Sequence, residues 1–318
     1  METASAGLRF ASLLALLAAF LWATYYFFVL GLAPGVASSA LIVYPFLFGS
    51  VCYFAWIWKR GELSTFSTLW KSPAAYLRLS LNLAMQLLVL ASTYLAGPID
   101  TSLLSLVGDV VLTPLLVMGF YREGRHAARS VAFIAGVGLC TVGASLTIVG
   151  GQSFQSLHGF AWIIAPLLPI AVAAYFLLTA RASRTVSYET LVTHSTIGAA
   201  LAAVALTPLF PGGFAGLVVA PIDLLFLAIL GITSFFLAPF LYFRSIRVAG
   251  LVLPAILMAA IPVFTLILSY FILGSIPPLI AALGIPIAVV GAVLAFRGLY
   301  ASAGAPSVRA TETTFEGS

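Results

Sequence analysis

Charge is what this chain lacks most. Only 7% of its 318 residues are Asp, Glu, Lys or Arg, and residues 10–58, 130–180 and 248–296 contain none. A soluble domain carries about 25% charged residues, so no water-facing shell can be assembled from these windows. Cysteine is nearly absent too: Cys52 and Cys140 both fall inside apolar runs, which leaves no disulfide framework and no metal-ligand spacing. The three histidines, His126, His158 and His194, lie in separate segments. They form no nucleophile–base or metal constellation of the kind a membrane-embedded enzyme needs. No small-residue cleavage site follows the first apolar run, so that run reads as a retained span and not as a signal peptide.

What remains is lipid-soluble. Hydrophobic residues make up 62% of the chain and the mean hydropathy is +1.16. Each charge-free window is about twice the ~20 residues that cross a bilayer, so each holds a helix, an uncharged turn and a returning helix. The turns fall at Gly31 to Ser39, Gly150 to Ser156 and Gly274 to Pro278. Further apolar runs lie near 74–96, 100–120, 188–210 and 223–243, giving ten spans. All fourteen basic residues then fall on one side of the membrane, while the other side carries only Asp100 and Asp223. The positive-inside rule puts both termini in the cytoplasm. The net charge of +5 is accounted for by that rule and by anionic lipid, with no reason to expect nucleic-acid binding. Residues 301–318 are polar and read as a disordered cytoplasmic tail.

The two halves repeat. A shift of 148 positions carries Tyr94 onto Tyr242, Pro114 onto Pro262, Gly136 onto Gly284, Gly143 onto Gly291 and Gly150 onto Gly298. Residues 1–150 and 151–300 are therefore expected to be two five-helix units. An odd number of crossings inserts the second copy upside down. The expected fold class is an all-α integral membrane protein, ten transmembrane helices in a 5+5 inverted repeat. Inverted repeats are the architecture of alternating-access transporters, whose sites lie near the bilayer midplane. Pro114 and Pro262 occupy matched places in spans four and nine, and each removes a backbone donor from its helix. They are the candidate hinges.

Polar groups inside the spans are few. Thr101, Ser105, Asp109 and Thr113 form one stripe at four-residue spacing; Arg78, Asn82 and Gln86 form another on span three. A mid-membrane carboxylate costs at least ~2.5–3.5 kcal/mol unless paired, hydrated or protonated. Asp109 is therefore either a structural carboxyl bonded to Asn82 or Gln86, or a functional group. Leu253, Leu257 and Ile261 stand at the matching second-half positions, an asymmetry that favours function. Arg78, near its span's end, is expected to extend its guanidinium toward the interface.

Trp22, Tyr25 and Tyr175 lie deep in their spans, and a 150-position shift brings Tyr25 onto Tyr175 and Tyr44 onto His194. Together with Asn82, Gln86 and Asp109, these five residues are the expected substrate-binding set, an aromatic cavity with a few polar groups. Tyr94, Tyr242, Trp56, Trp58 and Tyr300, nearer span ends, read as interfacial anchors. His194 is either a packed neutral group or, with Asp109, part of a proton relay. Gly136, Cys140 and Gly143, and Gly284, Ala288, Gly291 and Ala295, place small residues on one helical face each. Those faces serve as internal scaffold or as a dimer contact, so the chain is expected to be a monomer or weak homodimer.

Three segments carry a resemblance: Ala18-Ala19-Phe20-Leu21-Trp22-Ala23-Thr24, Leu112-Thr113-Pro114-Leu115 and Ile261-Pro262-Val263-Phe264. In their order, spacing and duplication the chain resembles the EamA-like transporters of the drug/metabolite transporter superfamily. The resemblance implies ten helices around a central cavity, and export of small organic solutes such as amino acids, amines, metabolites or toxic compounds across a bacterial inner membrane. Small solutes, the lipid bilayer and protons as a coupling ion are the expected partners; no cofactor or metal is expected. Tyr44-Pro45 stands where many members carry an arginine, and Gly274-Ser275-Ile276 where many carry an acid, while Glu123 matches the first-half acidic position. The competing classes are a non-transporting sensor or assembly partner and a membrane-embedded enzyme.

Overall fold

The computed structural model describes residues 2–29, 35–96, 98–120, 130–150, 161–274 and 278–302. Glu123, the tail from residue 303 onward, and the side chains of Asp109 and Pro114 lie outside the described residues. Every described regular element is helical. In chain order these are α1 (Glu2–Phe27), α2 (Ser38–Lys59), the short α3 (Leu63–Leu69), α4 (Pro73–Ala96), α5 (Pro98–Leu106) and α6 (Thr113–Phe120). They continue with α7 (Val131–Gly150), α8 (Ala161–Ala182), α9 (Tyr188–Leu206), α10 (Pro221–Leu230) and α11 (Ala238–Ala249). The last are α12 (Val252–Leu257), α13 (Ala260–Leu268) and α14 (Leu279–Ser302).

Among the described residues, six stretches are long and apolar enough to cross a membrane: Gly7–Phe27, Ser38–Lys59, Pro73–Leu95, Tyr188–Leu209, Pro221–Ala249 and Val252–Ile272. Shorter apolar stretches lie at Val131–Gly143, Leu167–Ala182 and Ala282–Ala295. The surface is inverted relative to a soluble protein. Leu13, Val51, Trp58, Val131, Phe271 and Leu279 are exposed, while the hydroxyls of Thr93, Thr101, Thr113, Thr193 and Thr265 are buried. With no water to take up an unpaired hydroxyl, those of Thr93, Thr113, Thr193 and Thr265 bond backward into their own helical runs. Thr93 donates to the Val89 carbonyl at 2.7 Å and Thr265 to that of Ile261 at 2.8 Å.

The expected proline positions coincide with helix irregularities. Between α5 and α6 the chain widens into a π turn over Val107–Leu112, where the N–H of Thr113 reaches back five residues to the Gly108 carbonyl. At the matched place in the second half, Met258 and Ala259 separate α12 from α13. Pro262 has no N–H to give Met258, and the Met258 carbonyl instead accepts from Ile261 at 2.9 Å in a tightened turn. One half opens its helix here and the other tightens it.

The helix contacts are reciprocal under the repeat shift. α1 packs on α11 and α13; its counterpart α8 packs on α4 and on the Val107–Leu112 turn. α2 packs on its own counterpart α9, and α7 on its counterpart α14, which is the most extensive helix pair in the structure. Along α7 and α14 the partners run in opposite directions. A Cβ on Gly136 would stand 2.2 Å from the Ala295 nitrogen, on Gly143 2.3 Å from Ala288 N, on Gly291 2.3 Å from Cys140 N, and on Gly298 2.3 Å from Phe133 N. As the residue number rises on one helix it falls on the other, so the two are antiparallel and their backbones touch. The small-residue faces are thus consumed within one molecule.

At the end of the bundle that bears Lys59 and Arg60, a polar cluster joins three connections. Ser187 caps α9 by accepting from the Thr190 N–H, and its hydroxyl donates to Glu62 Oε2 at 2.6 Å. The Thr190 hydroxyl donates to the same carboxylate oxygen. Arg247 Nη2 meets Glu189 Oε2 at 2.6 Å, and Arg60 lies 3.6 Å from Glu62 and 3.7 Å from Glu189. Burial tends to raise the Glu62 pKa, but the two hydroxyl donors and the charges of Arg60 and Arg247 outweigh it and hold the carboxyl below its ordinary value.

The seam makes a direct prediction. Gly143→Ala drives a methyl into the backbone of α14 and is expected to destabilise the protein by about 1–3 kcal/mol or more. Gly138→Ala on the same helix meets nothing within 4 Å, and should be neutral or slightly stabilising because alanine is the better helix former. Thermal unfolding in detergent checks both.

Candidate functional site

A cavity of about 770 Å³, its open mouth included, lies where helices of both halves converge. α1 contributes Trp22, Tyr25 and Tyr26, α2 Phe46, α4 Asn82, Met85, Gln86 and Val89, and α5 Ser105. From the second half come Val172, Tyr175 and Phe176 on α8, Val192 and Thr196 on α9, Ser234, Phe235, Pro239 and Phe243 along α10 to α11, and Ile261 on α13. The α7–α14 seam contributes none of these. Its role is to hold the halves together beside the cavity.

Helix phase explains which residues of α4 and α9 face inward. Asn82, Met85, Gln86 and Val89 follow the three- and four-residue spacing of one helical face, as do Val192 and Thr196. Gln86 stands near the centre of the span Pro73–Leu95.

Among the residues expected to bind substrate, Trp22, Tyr25, Asn82, Gln86 and Tyr175 line the cavity. Tyr44 and His194 stand elsewhere. Each lies two residues before a lining residue of its own helix, Phe46 and Thr196, and two residues turn a helix by about 200°. The Tyr44 hydroxyl instead donates to the Leu217 carbonyl at 2.7 Å, fastening the connection between α9 and α10 onto α2. His194 is fully buried against Trp70, ring centroids 4.3 Å apart, and Phe66 at 6.1 Å. Tyr242, expected at an interface, is fully buried instead. Its ring packs on Trp22 at 5.3 Å and Phe176 at 4.9 Å, behind the cavity wall. Its repeat mate Tyr94 is half exposed. Arg78 is buried in the protein, 4% exposed.

The lining polar groups divide into two kinds. Some are fixed by the fold. The chain makes a second π turn over Gly231–Leu237, in which the Ala238 N–H reaches back to the Thr233 carbonyl. The Ser234 carbonyl would next accept from residue 239, but Pro239 has no N–H. The Trp22 indole supplies the missing donor at 3.1 Å, and the Ser234 hydroxyl bonds the Leu21 carbonyl at 3.2 Å. Tyr175 is also held, 3.1 Å from the Ser195 oxygen. Ser195 gives its one proton to the Val192 carbonyl, so Tyr175 is the donor of that bond.

Others are free. Among the described residues, the side-chain amides of Asn82 and Gln86 make no hydrogen bond, and the buried hydroxyls of Tyr25 and Ser105 have no partner. Two amides and two hydroxyls, set among Phe46, Phe176, Phe235 and Phe243, can hydrogen-bond the polar part of an organic solute while the rings cover its apolar part. Among the described residues no charged side chain lines the cavity, and no group of three or more His, Cys, Asp or Glu could hold a metal ion. Ser234, Phe235 and Pro239 escaped the sequence reading. The proline itself was the available signal, since it marks a helix that must find a donor elsewhere.

Residues 159–297 match the EamA-like transporter family. No curated protein matches the chain. A crystal structure of another protein shares the fold with a TM-score of 0.64 at 19% identity, covering 90% of this chain and 96% of that one.

Replacing Trp22 with Phe should leave the Ser234 carbonyl buried without a donor and cost about 1–3 kcal/mol of stability. Ser234→Ala keeps that carbonyl bonded and removes only the bond to Leu21, so its melting temperature in detergent should fall less.

Proposed function

We propose that this chain, an integral membrane protein of the EamA-like transporter kind, is a secondary transporter that exports small organic solutes by alternating access. In this reading residues 1–150 and 151–300 are inverted five-helix repeats, each crossing the membrane five times, with both termini in the cytoplasm. The antiparallel contact of α7 with its own counterpart α14 supports inversion, because corresponding helices of an inverted repeat must run in opposite directions. The reciprocal packing of α1 on α11 and of α8 on α4 supports the same pseudo-symmetry. Membrane carriers of this design place the solute near the midplane, at the junction of the repeats.

One observation carries the reading: a cavity between the halves, walled by aromatic rings, whose amides Asn82 and Gln86 have no hydrogen-bond partner among the described residues. Unpaired amides in an apolar wall are costly, and a solute that bonds them recovers that cost. Trp22, Tyr25 and Tyr175 form the wall, and Asp109 holds a substrate amine or exchanges a proton. The irregular turns beside Pro114 and Pro262 are the sites of bending. The solutes that fit are amino acids, amines and comparable metabolites or toxic compounds, and the host membrane is a bacterial inner membrane.

Purified protein in liposomes should show saturable flux or counterflow for at least one member of an amino-acid and amine panel. Removing both amides, as Asn82→Ala with Gln86→Ala, should cut that flux about tenfold or more, since each lost hydrogen bond is worth about 1 kcal/mol. Full flux in the folded double variant would move the site elsewhere, and turnover of a solute without its movement would make the protein an enzyme.

A further inference from the structure

Arg78 stands one helical turn before Asn82 on α4, directly beyond the lined part of the cavity. It is 4% exposed, and its Nε and Nη2 are buried without a hydrogen-bond partner among the described residues. The described salt bridges join Arg60, Glu62, Glu189 and Arg247, and none includes Arg78. His194 stands on α9, which packs against α4; it is fully buried, and neither ring nitrogen is bonded among the described residues. Arg78 is in electrostatic reach of His194 and of Tyr175, the residue that also lines the cavity. A buried guanidinium with no anion is among the most expensive arrangements a fold can hold. A guanidinium fork is also the side chain best matched to a carboxylate, which it can bond through two parallel N–H groups.

We infer that Arg78 and His194 form a binding site for a small carboxylate, placed at the end of the cavity beyond the Tyr175–Ser195 hydrogen bond. The inference rests on the transport reading for its purpose: with Asn82 and Gln86 one and two turns along the same face of α4, a solute lying along α4 presents its carboxylate to Arg78 and its polar body to the amides. Tyr175 lines the cavity and is also in electrostatic reach of Arg78. The substrate class narrows accordingly, to organic acids and zwitterions bearing a free carboxylate. Amines without one lack the group that Arg78 requires.

The test uses the full-length protein in detergent and butyrate as the probe. Apparent melting temperature is measured in sodium butyrate, in sodium chloride at equal concentration, and in chloride plus butyramide. Near saturation butyrate should raise it about 2–4 °C above chloride, because a ligand of the folded state stabilises by mass action. Butyramide, the same shape without the charge, should not. Arg78→Gln should lose the rise, Arg78→Lys should keep only part of it, and His194→Gln should reduce it. Equal effects of butyrate and butyramide, equal effects of butyrate and chloride, or an undiminished rise in Arg78→Gln would each overturn the assignment. If Arg78→Gln does not fold, the wild-type comparison and His194→Gln still decide it. An Arg78-dependent rise in a protein that moves no solute in liposomes would leave the site standing and remove the transport reading; flux without the rise would do the reverse.

Discussion

Everything in this molecule hangs on the contact between α7 and α14, where two helices meet backbone to backbone. In lipid there is no hydrophobic drive to bring helices together, so association depends on close packing and on small residues that permit it. Gly136, Gly143, Gly291 and Gly298 supply that permission, each facing the partner's main chain at a distance no side chain could share. The contact is its own image under the repeat: Gly143 meets Ala288 as Gly291 meets Cys140. Because the rest of the packing follows the same exchange, fixing this pair antiparallel fixes how α1, α2 and α4 meet α8, α9 and α11. The cavity lies between the helices that this packing positions.

Around that cavity the polar groups show a division of labour. Irregular turns release carbonyls, and at two of them a donor is supplied: Ile261 for Met258, Trp22 for Ser234. Backbone groups in a membrane protein have no other recourse. Side chains that remain unanswered therefore stand out. Among the described residues, Asn82, Gln86, Tyr25 and Ser105 on the cavity, and Arg78 Nε and Nη2 and both His194 ring nitrogens beyond it, make no hydrogen bond.

Much of the helix layout was legible from where charge is missing, because a bilayer excludes Asp, Glu, Lys and Arg more strictly than any soluble core does. The glycine faces of α7 and α14 were legible for a similar reason, since spacing alone shows which side of a helix is smooth. Asn82 and Gln86 stood out as rare polar groups in mid-span. Helix rotation was not legible. Tyr44 and His194 have the right depth and the wrong phase, and in a helix apolar on every side no periodic contrast reveals which face looks inward. Tyr242 failed in the opposite way: near a span end it resembled an anchor, yet it is walled in by Trp22 and Phe176. The π turns at Val107–Leu112 and Gly231–Leu237 shift everything after them by one residue, which no count at fixed spacing anticipates.

The central claim is that this cavity communicates with both sides of the membrane in turn. Met85 lines it between Asn82 and Gln86, so a single cysteine there, Met85→Cys with Cys52 and Cys140 replaced by serine, reports access. A membrane-impermeant maleimide should modify that cysteine when applied from either face of sealed, oriented vesicles, and a transported solute should slow the reaction. Modification from one face only under every condition, or from neither face, would contradict alternating access.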